Sequence, residues 1–402
     1  IQNNFGIFNF GQDSSFAGNE TAQGNTDGNG IGDFYYSPPS GFLALCSANL
    51  PDPAIDPAKN EEPADYFNTV LYGGTGSTQS ITGVGFQPDW IWFKARNAAI
   101  GHVVYDSVRG ATKYLQTASS SAEGTGADSQ TSFDSDGFSV GADTSTTGVN
   151  KSSTNYVAWN WLAGTSVSGS TGGAGTSKSY SGSVNTESGF SIIAYAGNGT
   201  SGHDIPHHLG VTPEMIIVKS RNYSYDWFVY HKDISTTNAW PPYIELNETA
   251  AKIITAQAFE DPTSTNMGLY SNGAVNRNGG NHIAYLFASK DGYSKVGVYT
   301  GNSNTNGAFV YTGFRPAWVM IKQTDNASGW VIYDSVRSPN NQINKFLQAN
   351  SSATETDSAT DNPIDFLSNG MKMRYSNTAT NNSAGLVYLA FAEQPFKYSN
   401  AR

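Results

Sequence analysis

Short apolar runs, broken by clusters of Gly, Asn, Ser and Thr, make up nearly the whole chain. In "GFQPDWIWFKARN" (85–97) four consecutive apolar side chains, Trp90 to Phe93, end in Lys94 and Arg96. A run apolar on both faces suits a central strand covered on both sides. Pro88 just before it suits a strand start, where the missing N–H costs nothing. The same pattern returns as "GVTPEMIIVKSRN" (210–222) and "GFRPAWVMIKQTD" (313–325).

The flanking segments keep one order around each copy. Upstream lie "NTVLYGGTG" (68), "SIIAYAGNG" (191) and "KVGVYTGNS" (295). Downstream come "HVVYDSVRG" (102), "WFVYHKDIS" (227) and "WVIYDSVRS" (330), then "KYLQTASSSA" (113), "PYIELNETAA" (242) and "KFLQANSSAT" (345). "DGFSV" (136), "MGLYS" (267) and "NGMKM" (369) follow, and each copy closes on an apolar run at 156, 282 or 386. Matched segments in a fixed order are the mark of tandem homologous units.

The chain therefore divides into residues 67–164, 188–291 and 292–402, with the matched segments of the last ending near 396. Residues 165–187, rich in Gly and Ser, read as a flexible or loop-rich linker. The second and third units abut, so their relative orientation is expected to be fixed. Runs rich in Val, Ile, Tyr, Phe and Trp with turn residues between them predict an all-β fold of tandem antiparallel β-sandwiches, jelly-roll or concanavalin-like. The only helix-like stretch is 247–259. Residues 1–50 do not match the repeat and read as the C-terminal strands of a preceding β-sandwich. Residues 51–66 read as a Pro-rich linker held extended.

The aromatics of the opening stretch are replaceable, because Trp90–Phe93 align with Met215–Val218. A buried strand survives that exchange and a stacking platform does not. Lys94, Lys219 and Lys322 recur and are expected to mark where the strand leaves the core.

Composition narrows the functional classes. A net charge of -11 disfavours nucleic-acid binding, which needs clustered Lys and Arg. The single Cys46 allows no internal disulfide and reads as a buried thiol. No run approaches the ~20 apolar residues of a membrane span, and no signal peptide opens the chain, so no membrane insertion is expected. A chain beginning at Ile1 rather than Met reads as a processed or truncated product.

Three groups of residues carry possible chemistry. His203, Asp204, His207 and His208 in "GHDIPHHLG" include three histidines that could ligate a metal. On a strand, however, His207 and His208 point to opposite faces, and the other units lack the histidines, which favours a structural turn with solvent-exposed imidazole. The pairs Asp106 with Arg109 and Asp334 with Arg337, in the repeated "YDSVR", read as turn-stabilising ion pairs. Asn25, Asp27, Asn29 and Asp33, with Gly30 at the sixth place of "NTDGNGIGDFYY", follow the spacing of a calcium loop. Tyr36 stands where such a loop carries Glu, so a Gly/Asn-rich turn is the plainer reading. The acids offer no selectable pair for glycoside hydrolysis.

The run "FNFGQ…FYYSPPSGFLALCSANLPDPAI" resembles the C-terminal end of SPRY/concanavalin-like sandwiches in tailed-phage structural proteins. "H-x-LG-x-x-P-x-MIIVK-x-R", "W-x-VYH" and "YIELNETAA" resemble repeats that follow those domains in tail-fibre-like proteins of marine phages, cyanophages among them. The second unit fits best. The first lacks the His before "VGFQP", and the first and third carry "YDS" for "YHK". The resemblance implies a virion protein, a fibre, spike-like appendage or head-surface decoration, with no defined catalytic activity. The first expectation is a non-enzymatic tail fibre or appendage at the particle surface, assembled as a homotrimer or other homo-oligomer. Its loops would meet a host-surface glycan or receptor, or other virion proteins. Capsid-surface decoration or a head fibre is the alternative, and a polysaccharide-degrading enzyme ranks below both.

Overall fold

In a computed structural model, which describes residues 8–143, 147–234, 240–376 and 378–400, the chain is built of antiparallel β-sheets. The first unit contains β1 (Phe67–Gly73), β2 (Gln79–Thr82), β3 (Trp90–Ala95), β4 (Val103–Asp106), β5 (Lys113–Gln116), β6 (Gly124–Thr125), β7 (Gln130–Asp134), β8 (Gly137–Val140) and β9 (Asn155–Trp161). They form a large sheet, β1-β9-β3-β4-β5-β6, and a small one, β2-β8-β7. Ile81, Phe138 and Val140 of the small sheet pack on Ile91, Phe93, Tyr105 and Ala158 of the large one. This is a sandwich of period-2 strands, as the alternation predicts.

The second unit contains β10 (Thr165–Ser170), β11 (Gly172–Gly173), β12 (Ser179–Asn185), β13 (Phe190–Ala196), β14 (His203–Pro206), β15 (Met215–Ser220), β16 (Phe228–His231), β17 (Ile244–Glu245), β18 (Asn266–Leu269) and β19 (Asn281–Phe287). The third contains β20 (Ser294–Thr300), β21 (Phe309–Tyr311), β22 (Phe314–Gln323), β23 (Val331–Asp334), β24 (Lys345–Gln348), β25 (Thr356–Asp357), β26 (Ile364–Leu367), β27 (Gly370–Met373) and β28 (Gly385–Pro395). Their large sheets are β10-β12-β13-β19-β15-β16-β17 and β20-β28-β22-β23-β24-β25, and their small ones are β11-β14-β18 and β21-β27-β26. β1, β13 and β20 pair with the closing strands β9, β19 and β28, and these pair in turn with the central strands β3, β15 and β22.

Two side-chain roles recur in all three units. Tyr72, Tyr195 and Tyr299, on β1, β13 and β20, donate to the carbonyls of Val149, Val275 and Thr380. The next residue is a buried Asn whose amide oxygen caps the turn after the Tyr-bearing strand. Asn150 accepts from the Thr75 N–H, Asn276 from Asn198 and Asn381 from Asn302. A buried amide must find its partners, and these find theirs in the same turn each time.

The three large sheets turn their other faces toward one another. Trp90, Trp92, Trp159 and Trp161 meet Phe190, Met215, Ile217, Tyr285 and Phe287 of the second unit and Trp318, Met320, Leu389 and Phe391 of the third in one central core. Ring pairs cross every seam: Trp90 with Tyr285 at 4.5 Å, Trp161 with Trp318 at 5.6 Å and Phe287 with Phe391 at 6.1 Å. The sandwiches thus form a closed ring of three, with the small sheets outermost. Trp90 and Trp92 face the ring centre while Ile91 and Phe93 face their own sandwich, so β3 is covered on both sides.

Several expectations change. Residues 165–187 form β10, β11 and β12. β12 pairs with β13 along its whole length, and β10 with β12, so the Gly/Ser-rich stretch extends the second unit's sheet. Small residues leave a strand free to pair where its backbone groups find partners. Residues 51–66 form a packed strap. Ile55 enters the central core, the Ala54 N–H donates to Asp291 O at 2.9 Å, and the Tyr398 hydroxyl donates to Asp56 at 2.8 Å. Residues 247–259 carry no helix. The α-helices among the described residues are single turns at Gly273–Asn276 and Thr378–Asn381, and no helix there is long and apolar enough to cross a membrane. Cys46 is exposed. The strands expected in residues 1–50 reduce, among those described, to one isolated pairing of Asn25 with Phe34. Phe8, Phe10, Tyr36, Phe42 and Leu45 there face solvent, so little apolar burial supports longer strands.

Candidate functional site

The residues with possible chemistry go to separate places. His203 is buried, with Nδ1 on Asn276 Oδ1 at 2.9 Å and Nε2 on Thr171 Oγ1 at 2.7 Å. Nε2 of His207 lies 3.1 Å from Thr263 O, and its Nδ1 accepts from the Leu209 N–H. His208 adopts a left-handed backbone, φ 61°, and meets the Tyr180 hydroxyl at 2.7 Å. Burial lowers the pKa of both His203 and His207. The imidazoles thus pin three different segments.

In the N-terminal loop, Asp27 accepts hydrogen bonds from the N–H groups of Asn29, Ile31 and Ala44 and from the Asn49 side chain, at 2.7–3.0 Å. Burial pushes this carboxyl up, and the four bonds outweigh it, holding it at about 2. Asn25 donates to Phe34 O and Tyr35 O. Asn29 donates to Asn49 Oδ1 at 3.0 Å, and Asp33 accepts from the Ser14 N–H at 3.1 Å. Asn25, Asp27, Asn29 and Asp33 are thereby engaged in tying the loop to itself, Asp27 and Asn29 sharing Asn49 as a partner. Among the described residues no three His, Cys, Asp or Glu side chains gather as a metal would need.

The ion pairs lie at the seams of the ring. Asp106–Arg109 and Asp334–Arg337 are fully buried. Asp106 also accepts from the Tyr285 hydroxyl at 2.7 Å, and Asp334 from Trp159 Nε1 at 3.0 Å. Each bond joins the closing strand of one unit to the turn of another. At the third seam the aligned residues are His231, Ile234 and Leu389. Ile234 and Leu389 join the central core, and burial holds His231 at about 4, neutral at ordinary pH. One seam therefore replaces an ion pair and a donor by two apolar side chains and a neutral imidazole, and exchanging a buried ion pair for uncharged groups is a known route to equal or better stability.

The recurring lysines are buried rather than exiting the core. Lys94 donates to Ser352 O of the third unit, Lys219 to Ser120 O of the first and Lys322 to Thr249 O of the second, at 2.9–3.2 Å. Burial lowers all three to about 8. Beside them, backbone bonds run from Glu123 N to Arg221 O, Lys252 N to Thr324 O and Glu355 N to Arg96 O. Glu123–Arg221, Lys252–Asp325 and Glu355–Arg96 close as ion pairs across the same seams. Burial raises Glu123 and Glu355, and the guanidinium groups on either side outweigh it, holding both below the usual range. Each unit thus seats on the one before it, and the first seats on the third. Heterologous contacts that close in this way make a ring. The recurrence of Lys was visible in the sequence; its partners, 73 to 258 residues away, were not.

A cleft of about 350 Å³ opens where the strap meets the second and third units. Asp52, Pro53, Glu214, Lys232, Lys290 and Lys295 line it, with Tyr311 and Lys397. Lys232 pairs with Glu214 at 2.5 Å and Lys397 with Asp52 at 2.7 Å. Lys295 Nζ donates to Tyr311 O at 3.3 Å and stands 5.2 Å from the centre of that ring. Composition gave no sign of this basic cluster, because its lysines come from distant segments.

No curated protein and no solved structure matches the chain. The strap's final turn, Pro63–Asp65, and strands β1 to β28 of the three units fall within residues 62–395, which match the model of a domain of unknown function, DUF7483, and the chain belongs to that family.

Proposed function

We propose that the chain is a non-enzymatic structural module of a tailed-phage virion, carried on a fibre-type appendage and meeting a host-surface glycan through loops at the ring's rim. The observation that supports this reading is the shared core. The three sandwiches spend their largest aromatic surfaces on one another, and their ionic residues tie the seams. What remains for partners is a rigid rim of turns rich in Asn, Ser, Thr and Tyr, suited to polar ligands. The residue resemblance in the repeats supplies the virion context.

Display on the capsid surface is the second reading. A chain that closes its own threefold ring needs no trimer partner, and this favours a decoration present as single copies. A cryo-electron microscopy map of the particle tests both: ring-shaped density on an appendage supports the first, and density over the capsid lattice supports the second. Absence of the chain from purified particles would overturn both. Sustained release of reducing sugar from host polysaccharide would overturn the non-enzymatic part.

A further inference from the structure

We propose that the cleft between the strap and the second and third units binds an acidic sugar of the uronate type, its carboxylate on Lys290 and Lys295 and its apolar face on Tyr311. This rests on the adhesive reading above and gives it a ligand class.

The chain is acidic as a whole, so no general field draws an anion to it, and any anion must be held locally. The cleft gathers four lysines against three carboxylates, Asp52, Glu214 and Asp291, an excess of one positive charge. Two of the lysines are committed: Lys232 to Glu214 and Lys397 to Asp52. Among the described residues Lys290 and Lys295 have no carboxylate partner within ion-pair distance. One excess charge suits a single carboxylate better than a doubly charged phosphate.

The aromatic component lies beside them. Tyr311 is 53% exposed, and Phe309, two residues earlier on the same face of β21, is 48% exposed. Sugar C–H faces pack on such rings, so a longer saccharide has a track leading out of the cleft. Lys295 is held by Tyr311 itself, through the carbonyl and the ring, so cation and platform form one unit.

The cleft is built by close packing. Gly292 has φ +75°, and a Cβ there would stand 2.4 Å from Pro53 Cβ. Only glycine permits that backbone and that approach of the strap. The volume lies at the lower end of the ~300–1,000 Å³ of small-ligand sites. Asp52, Pro53 and Lys397 lie outside the matched residues 62–395, so the cleft is completed by segments beyond the family domain.

The test is calorimetric titration of the whole chain with trigalacturonate and with the same trisaccharide carboxyl-reduced. The expected result is binding of trigalacturonate, with the reduced sugar at least about tenfold weaker. Lys290→Met with Lys295→Met weakens trigalacturonate about tenfold or more, Tyr311→Ala does the same, and Tyr311→Phe leaves it within about twofold. Equal binding of the two sugars, no binding of trigalacturonate, or full binding by the double lysine variant overturns the proposal. Thermal melts check that each variant is folded, and the single Lys290→Met change, at a surface side chain, keeps the test decisive where another variant fails to fold. Adhesion of labelled chain to host cells separates the two readings. Adhesion that survives the lysine and tyrosine changes removes the cleft and leaves the adhesive reading. Trigalacturonate binding without adhesion keeps the cleft and removes the adhesive reading.

Discussion

The indole Nε1 of Trp159 donates to the Asp334 carboxylate at 3.0 Å, joining the last strand of the first sandwich to a buried turn of the third. The same carboxylate pairs with Arg337, whose guanidinium stands 5.5 Å from the Trp159 ring. The Arg337 backbone N–H donates to the carboxylate as well, at 2.7 Å, so three groups depend on one buried anion. Tyr285, Asp106 and Arg109 repeat the arrangement at the next seam.

Removing the anion takes away the nearer counter-charge of the buried Arg337 and leaves it only Glu355, which it shares with Arg96. Asp334→Ala is expected to lower stability by about 3–5 kcal/mol, read as a lower urea midpoint at unchanged slope. The variant Trp159→Leu, Asp334→His, Arg337→Ile rebuilds the seam that the protein itself makes with Leu389, His231 and Ile234. It is expected to lose less than Asp334→Ala alone. A triple variant less stable than the single change would refute this account of the seams.

The lysines give the ring a pH dependence. Lys94, Lys219 and Lys322 titrate near 8 when folded, because burial disfavours their charge, against 10.5 unfolded. Between those values the unfolded chain binds more protons, so stability rises with pH. Their contribution is complete above 10.5 and is lost as pH falls through 8. A rise of roughly 1–3 kcal/mol per lysine is expected across the window. It would be seen most clearly below 10, before the buried tyrosines, whose hydroxyls burial raises, begin to oppose it. Lys219→Met should flatten about a third of the slope in urea titrations from pH 7.5 to 9.5. An unchanged slope would show that these lysines are not desolvated.

The strands were legible because each carries its own periodicity, and the units because Pro88, Pro213 and Pro316 sit in matched surroundings. The ring was not legible. Its ties join residues such as Lys94 and Ser352, and nothing in either neighbourhood marks the other. Lys94 looked like a strand exit because a charge after an apolar run usually meets water, and here it meets the carbonyl of its own Ala95 and that of Ser352 in a neighbouring sandwich. Residues 165–187 looked like a linker because Gly and Ser carry little strand preference. The backbone edge of β13 supplied the order instead. The Asn that follows the Tyr-bound carbonyl could have been found: it precedes the closing strand by about one turn in every unit, at Asn150, Asn276 and Asn381.

Those asparagines should be costly to replace. Asn276 accepts from the N–H groups of Asn198 and Gly199 and donates to Thr200 O and Tyr270 O, with His203 Nδ1 also on its oxygen. Asn276→Ala leaves several buried groups without partners, each costing about 1–3 kcal/mol. A loss of about 3 kcal/mol or more is expected in denaturant unfolding, against about 1 kcal/mol for Tyr195→Phe, which removes one bond to a carbonyl. A loss under about 1 kcal/mol for Asn276→Ala would mean that water replaces the side chain easily.

The sandwiches should not be independent domains. Each has its own inner core, yet its large sheet presents a second apolar face. For the middle unit that face includes Phe190, Ile192, Met215, Ile217, Trp227, Tyr285 and Phe287, all buried only because the neighbours cover them. Residues 165–291 produced alone would expose an apolar patch far larger than monomers tolerate. They are expected to aggregate or bind a hydrophobic dye. The whole chain is expected to melt in one transition, with calorimetric and van't Hoff enthalpies agreeing for residues 51–400. A single central core couples the units, so no unit can lose its face without uncovering the other two. Separate transitions, or a soluble and well-folded middle unit, would show that the seams are weaker than their burial implies.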